Sequence, residues 1–307
     1  MDQSSRLNGG RSWIGKGSPA ASDRAPLAEL VAYMTEDRQL LHGLLWLPPS
    51  KTGTAVVYVP GGPGGFAGPV SLNPIGRTLN DRGYAFMAVN MRTAGMNGFL
   101  FARFEDCVKD IGAAIQALRS RGFTDIVLVG DSLGGARAVY YWVESQEPSI
   151  KALVFLATIT SPYMEAQLRW DEKERAQYDA FLQRARDLVK VGKGDQVLTF
   201  SSWHPNRPVT ASALTFLNLF GRPDESDASI VKFGLAVTVP ALVLHGTKDN
   251  IALPENAKAV HESFTASPRR DLRWVDGGHF LVPEPEAAKY AEVLVGWLLE
   301  AAPVMLN

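Results

Sequence analysis

Short apolar runs at residues 55–59, 85–90, 125–129, 152–156, 241–245 and 271–275 punctuate this chain, and most are separated by stretches of helical period. An uninterrupted apolar strand must be covered on both faces, and two parallel strands need a crossover between them, which is usually a helix. The pattern therefore predicts an α/β fold with a mostly parallel sheet and helices on both faces. The helices are expected at 70–82, 101–121, 136–144, 254–264 and 285–301. Ahead of them, runs at 28–34 and 40–47 flank the polar turn Thr35-Glu36-Asp37-Arg38 and predict an antiparallel hairpin at one sheet edge.

The alternation breaks once. Residues 158–238 carry a charged helical stretch (164–191), a Gly192-Lys193-Gly194 turn, Trp203-His204-Pro205 and a second helical run (211–220), with no strand of their own. The expectation is a lid inserted over one end of the sheet, with 27–157 and 239–307 forming the core. A length of 307 residues suits one α/β domain with such an insertion. Residues 1–26 are rich in Ser, Gly, Ala and Arg and hold no apolar run long enough for a signal-peptide core or a membrane span. They read as a flexible extension of a cytoplasmic protein, and Asp2 and Asp23 weigh against a transit segment.

Charge and cysteine content narrow the class. A net charge of −1 offers no basic field for nucleic acid. The single cysteine, Cys107, excludes an intrachain disulfide and reads as a small buried hydrophobe. Neither a cofactor nor a metal is expected. The partner expected is a small-molecule substrate, with no membrane, and the oligomeric state is open, a homodimer among the options.

In an open parallel sheet, ligands bind beyond the carboxyl ends of the strands, so the residues after each run are the ones that matter. The 125–129 run enters Gly130-Asp131-Ser132-Leu133-Gly134 and then a helix, which puts a serine on a sharp turn. A serine hydroxyl is a weak nucleophile unless it is exposed, paired with a base and supplied with oxyanion donors. After 55–59 comes Pro60-Gly61-Gly62-Pro63-Gly64-Gly65-Phe66, where the Gly62 N–H is the candidate donor because Pro63 has none. The Leu133 N–H is its natural partner. After 241–245 comes Gly246-Thr247-Lys248-Asp249, and after 271–275 comes Asp276-Gly277-Gly278-His279. The order Ser132, Asp249, His279 is the one expected of a nucleophile elbow in this architecture.

On these residues the chain resembles the α/β-hydrolase superfamily from about residue 27 to 301. The likeness rests on Gly130-Asp-Ser-Leu-Gly134-Gly135, Gly61-Gly62-Pro63-Gly64, Leu244-His-Gly-Thr-Lys-Asp249 and Gly277-Gly278-His279, in that functional pattern. The resemblance implies Ser132 as nucleophile, His279 as base then acid, Asp249 as the carboxylate orienting it, and an acyl-enzyme intermediate. One position departs: many relatives carry a histidine, which helps hold the glycine loop, where Pro60 stands.

Competing assignments are weighed on the same grounds. Asp276 is an alternative acid, disfavoured by standing only three residues before His279. His245 reads as a packed histidine beside the Asp249 loop, while His42, His204 and His261 read as structural or surface residues. Asp131 is expected to make a helix cap or supporting bond, and Arg92 a structural salt bridge. Phe66, Met96, Tyr163, Trp203, Phe216 and Phe280 are the candidate pocket residues, and their apolar character points to a small, mostly apolar substrate. The expected activity is carboxylic ester hydrolysis. A lactone, amide or thioester substrate, or acyl transfer, would use the same residues, and a non-catalytic ligand-binding protein on this scaffold is the alternative from another class.

Overall fold

The computed structural model describes residues 28–50, 52–62, 64–66, 72–95, 98–200, 208–279 and 284–304. In chain order its strands are β1 (Glu29–Met34), β2 (Leu40–Trp46), β3 (Thr54–Val59), β4 (Ala85–Val89), β5 (Asp125–Asp131), β6 (Ile150–Leu156), β7 (Val197–Phe200), β8 (Val209–Ser212), β9 (Ala241–Gly246) and β10 (Arg270–Val275). Eight of them form one sheet in the order β1-β2-β4-β3-β5-β6-β9-β10. The β1–β2 hairpin and the β2–β4 pair are antiparallel, and every other pairing in that sheet is parallel.

Burial explains the sequence pattern strand by strand. β3, β4 and β9 lie inside the sheet and are buried at every position, which is why they read as unbroken apolar runs. β1 lies at an edge, and only Val31 and Tyr33 point inward.

The helices are α1 (Leu72–Asn80), α2 (Cys107–Arg119), α3 (Leu133–Ser145), α4 (Pro162–Arg169), α5 (Glu172–Lys190), α6 (Ala213–Phe220), α7 (Ile230–Phe233), α8 (Pro254–Ser263) and α9 (Glu284–Ala301). α1 and α9 cover one face, where Ile75, Leu79, Tyr290 and Leu294 pack with Val56, Phe86, Val127 and Leu242. α2, α3 and α8 cover the other, where Ile111, Ile115, Val139 and Val260 join Val57, Leu128 and Val243. Cys107 is buried and unpaired in this second core. Residues 1–26, the expected extension, lie outside the described residues. Among the described residues no helix is long and apolar enough to cross a membrane.

The block between β6 and β9 corrects the expectation of an all-helical insertion. It holds an antiparallel hairpin, β7–β8, whose four-residue strands are too short to show a clear alternation in sequence. The charged stretch 164–191 is also two helices, not one. Asp171 accepts from the Glu174 N–H while the Glu174 side chain accepts from the Asp171 N–H, a capping box that starts α5 afresh after α4 ends. The block has its own aromatic core, in which Tyr178, Phe181, Phe200 and Phe220 surround Phe216 with ring centroids 4.7–6.2 Å apart.

The turn at Ser132 is tightly packed from below. A Cβ on Gly134 would stand 2.1 Å from the Val59 carbonyl oxygen at the end of β3. Gly134→Ala is therefore expected to destabilise the fold by about 3 kcal/mol, the upper range for overpacking a rigid contact. Urea denaturation checks this, and an unchanged midpoint would mean the helix start is free to retreat.

Candidate active site

Ser132 joins β5 to α3 with φ +52° and ψ −120°, a conformation that L-residues avoid and that costs about 1–3 kcal/mol wherever it persists. The surroundings impose it. The Ser132 N–H donates to Leu156 O at 2.9 Å, the Gly135 N–H to Ser132 O at 3.1 Å, and the helix that follows is buried along its first turns. Among the described residues Ser132 Oγ accepts and donates no hydrogen bond, so the hydroxyl stands at the carboxyl end of the sheet uncommitted.

The loop after β9 carries Asp249 and the loop after β10 carries His279. His279 Nδ1 lies 2.8 Å from Asp249 Oδ2, both side chains being buried. Asp249 Oδ1 accepts from the Ile251 and Ala252 N–H groups at 2.8 and 2.9 Å, which fixes the carboxylate and leaves Oδ2 to the imidazole. An ionised carboxylate is acceptor-only, so Nδ1 bears the proton and Nε2 is the ring nitrogen left for other chemistry.

His245 is close by without taking that place. Its Nε2 donates to Ala252 O at 2.9 Å and lies 3.5 Å from Asp249 Oδ2, while burial holds its pKa below the ordinary histidine value and Nδ1 has no partner among the described residues. It is a neutral, packed side chain, edge-on to Trp274. Asp276 points into solvent, paired with Lys248 at 2.6 Å, and takes no part in orienting His279.

The electrostatics favour a charged imidazole. Burial pulls the His279 pKa down, but the Asp249 hydrogen bond and the charges of Asp131, Asp249 and Glu165 outweigh it, so the pKa lies above the ordinary histidine value. Asp131, the residue before the serine, is buried, with Oδ1 unpartnered among the described residues and Oδ2 accepting from Tyr58 OH at 2.9 Å. Burial pushes its pKa up to about 6, against the opposing pull of His279 and Tyr58. Asp131 therefore caps no helix. It bonds Tyr58 and places a second carboxylate near the imidazole.

The glycine loop closes against the serine. A Cβ on Gly61 would come 2.7 Å from Ser132 Cβ and 3.4 Å from Oγ, so this backbone runs alongside the hydroxyl. Gly62 has φ +47°, and the Gly64 N–H donates to Gly61 O at 2.9 Å across the turn. The Gly62 N–H meets no acceptor among the described residues. Leu133 is the first residue of α3, so its N–H has no intrahelical acceptor. The loop's far end is tied by the Phe66 N–H to Asn90 Oδ1 at 2.8 Å. Pro60 supplies no side chain to hold it; the buried Arg137 of α3 does, donating to Pro60 O at 2.8 Å and to Gly62 O at 2.9 Å. An arginine inside a helix gives no local sign of this in sequence.

A second unforeseen link joins the inserted block to the acid loop. Glu165 of α4, wholly buried, accepts from Arg169 and from Asn256 Nδ2, and Arg169 in turn donates to Asn250 O and Ile251 O at 2.9 and 2.8 Å. Those carbonyls flank the peptide N–H groups that hold Asp249.

The remaining expected residues scatter. Phe66 and Tyr163 are half-buried, one in the glycine loop and one at the start of α4. Phe216, expected to face a substrate, is instead 1% exposed inside the aromatic core of the inserted block. Met96, Trp203, His204 and Phe280 lie outside the described residues. Arg92 makes the structural ion pairs expected of it, with Asp37, Asp106 and Asp110. His42 and His261 sit in β2 and α8. Among the described residues no group of three or more His, Cys, Asp or Glu is disposed to hold a metal ion.

Known proteins repeat this frame. A family model described as the alpha/beta hydrolase fold matches residues 54–201. The AB hydrolase superfamily protein YisY of Bacillus subtilis (strain 168) is 23% identical over 210 residues, 62% of this chain and 73% of that protein. The structure of DcsB in complex with its substrate analogue superposes with TM-score 0.67 at 16% identity, covering 90% of this chain and 100% of DcsB. The esterase domain of a Rhodothermus marinus protein does so with TM-score 0.58 at 19% identity, covering 88% and 97%. With its mostly parallel sheet, its serine elbow after β5, and these likenesses, the chain has the α/β-hydrolase fold.

Proposed function

We propose that the protein is a serine hydrolase of carboxylic esters. The observation that carries this reading is the 2.8 Å bond between His279 Nδ1 and Asp249 Oδ2 at the carboxyl end of the sheet, where Ser132 is held in its elbow. Ser132 Oγ attacks the ester carbonyl as His279 Nε2 takes its proton, and Asp249 holds the ring in the tautomer that makes this transfer possible. The Gly62 and Leu133 N–H groups face the oxygen that becomes negative. The imidazolium gives its proton to the departing alkoxide, leaving an acyl group on Ser132. A water deprotonated by His279 then attacks the acyl carbonyl, and Ser132 leaves with the proton as the carboxylic acid is released.

Phe66 and Tyr163 offer half-buried aromatic surface, which suits a small, mostly apolar acyl or alkyl group. The inserted 158–238 block acts as a lid on the substrate. The test is covalent: an alkyl fluorophosphonate is expected to label the folded protein once, with mass spectrometry placing the adduct on Ser132. A folded protein that stays unlabelled, or is labelled elsewhere, would refute the assignment and favour a binding role.

A further inference from the structure

Arg137 is a charge placed where the fold alone gives it little reason to be. It is 3% exposed, and among the described residues it forms no ion pair. Burial draws its pKa down to about 10, with Cys107 and Asp110 opposing, so the guanidinium remains charged at neutral pH. Burying a charged group without a counter-ion is unfavourable unless its hydrogen bonds are put to use, and an aliphatic side chain would fill the same interior at less expense. Both hydrogen bonds of this fork go to one short backbone segment, Pro60 O and Gly62 O.

The consequence follows from peptide geometry. In a trans peptide the C=O and the next N–H point in opposite directions. Holding Pro60 O against Arg137 turns the Gly61 N–H the other way, toward Asp131, whose carboxyl pKa it lowers. Holding Gly62 O fixes the plane on the other side. Between these two lies the unit made of Gly61 O and the Gly62 N–H, with Gly61 O turned into the loop by the Gly64 N–H. Its N–H is therefore left facing outward beside Ser132, where Gly61 already approaches the hydroxyl.

We infer that Arg137 is a positioning residue, one that fixes the planes of the 60–62 backbone so that the Gly62 N–H meets the oxyanion formed when Ser132 attacks. This rests on the reading of Ser132 as the nucleophile. Arg137 touches no substrate, and it acts only through the loop. A five-donor planar fork spans two carbonyls that a lysine ammonium reaches one at a time, so the two residues are not equivalent here.

The test compares Arg137→Met and Arg137→Lys with the wild type, using p-nitrophenyl butyrate for kcat and KM and phenylboronic acid as a probe that forms a tetrahedral anion on the serine oxygen. Loss of an aligned oxyanion donor should lower kcat in Arg137→Met by about 10²–10³-fold. KM should move by less than about threefold, because the ground-state ester does not use the donor. Phenylboronic acid should weaken in step with kcat, and Arg137→Lys should fall between. A purely structural role would lower the melting temperature without tying kcat to boronate affinity. The inference is overturned by a folded Arg137→Met enzyme with kcat near wild type, by a fall in kcat with unchanged boronate affinity, or by failure of both variants to fold. If the wild type itself is not labelled by a fluorophosphonate at Ser132, the hydrolase reading fails, and this inference with it.

Discussion

Ser132→Ala is expected to lower kcat/KM for a p-nitrophenyl ester by about 10⁵-fold, because in the proposed mechanism nucleophile, base and orienting acid act as one unit and the remaining oxyanion donors give only background catalysis. The fold should not suffer. Ser132 Oγ makes no hydrogen bond to a described residue, and its backbone bonds to Leu156 and from Gly135 do not involve the side chain. Stability in urea should therefore stay within about 0.5 kcal/mol of wild type. The strain at φ +52° resides in the Cα–Cβ geometry, which alanine keeps. Glycine removes it, so Ser132→Gly should be equally inactive and more stable by about 1 kcal/mol. A Ser132→Ala enzyme that still turned over the ester at an appreciable rate would place the nucleophile elsewhere.

Asp249→Asn should lower kcat/KM by about 10⁴-fold with the fold intact. The reason is the tautomer. The amide oxygen can keep accepting from the Ile251 and Ala252 N–H groups, which leaves the NH₂ facing His279 Nδ1. A donor there makes Nδ1 the acceptor and moves the ring proton to Nε2, the atom that takes the serine proton in the proposed mechanism. The pH profile carries an independent sign. A general base works when deprotonated, so kcat/KM rises with pH through its pKa. In the wild type, with the His279 pKa raised, that acid limb should lie above the ordinary histidine value. Removing the Asp249 charge and bond leaves burial to dominate, and the limb should move to lower pH. Measured profiles of kcat/KM would refute this if the limb stayed in place or moved upward.

The candidate site divides cleanly between what local pattern could reveal and what it could not. Ser132 was legible because a strand, two glycines and a helix start are neighbours in sequence, and the close packing of Gly134 on Val59 O shows why no larger residue fits. Asp249 and His279 were legible because each stands a few residues past an apolar run, and the carboxyl ends of parallel strands meet at one edge. The β7–β8 hairpin escaped because four residues give too little alternation, and the break between α4 and α5 because the capping box at Asp171 lies within an evenly charged stretch. The burial of Phe216 is not legible in sequence, because an aromatic in an inserted block reads the same whether it lines a pocket or fills that block's own core.

By itself, then, the sequence determined the layered α/β architecture, the serine turn, and the order in which Ser132, Asp249 and His279 reach one end of the sheet. These follow from burial period and turn stereochemistry, which act over a few residues. Only the tertiary structure decided which buried charges meet: Asp131 facing His279, Glu165 and Arg169 tying the inserted block to the Asp249 loop, and Arg137 gripping Pro60 and Gly62. Such contacts join residues 75 and 77 positions apart in the case of Arg137. They are set by which strands lie side by side, and a charged residue on a helix carries no local sign of the backbone it will come to hold.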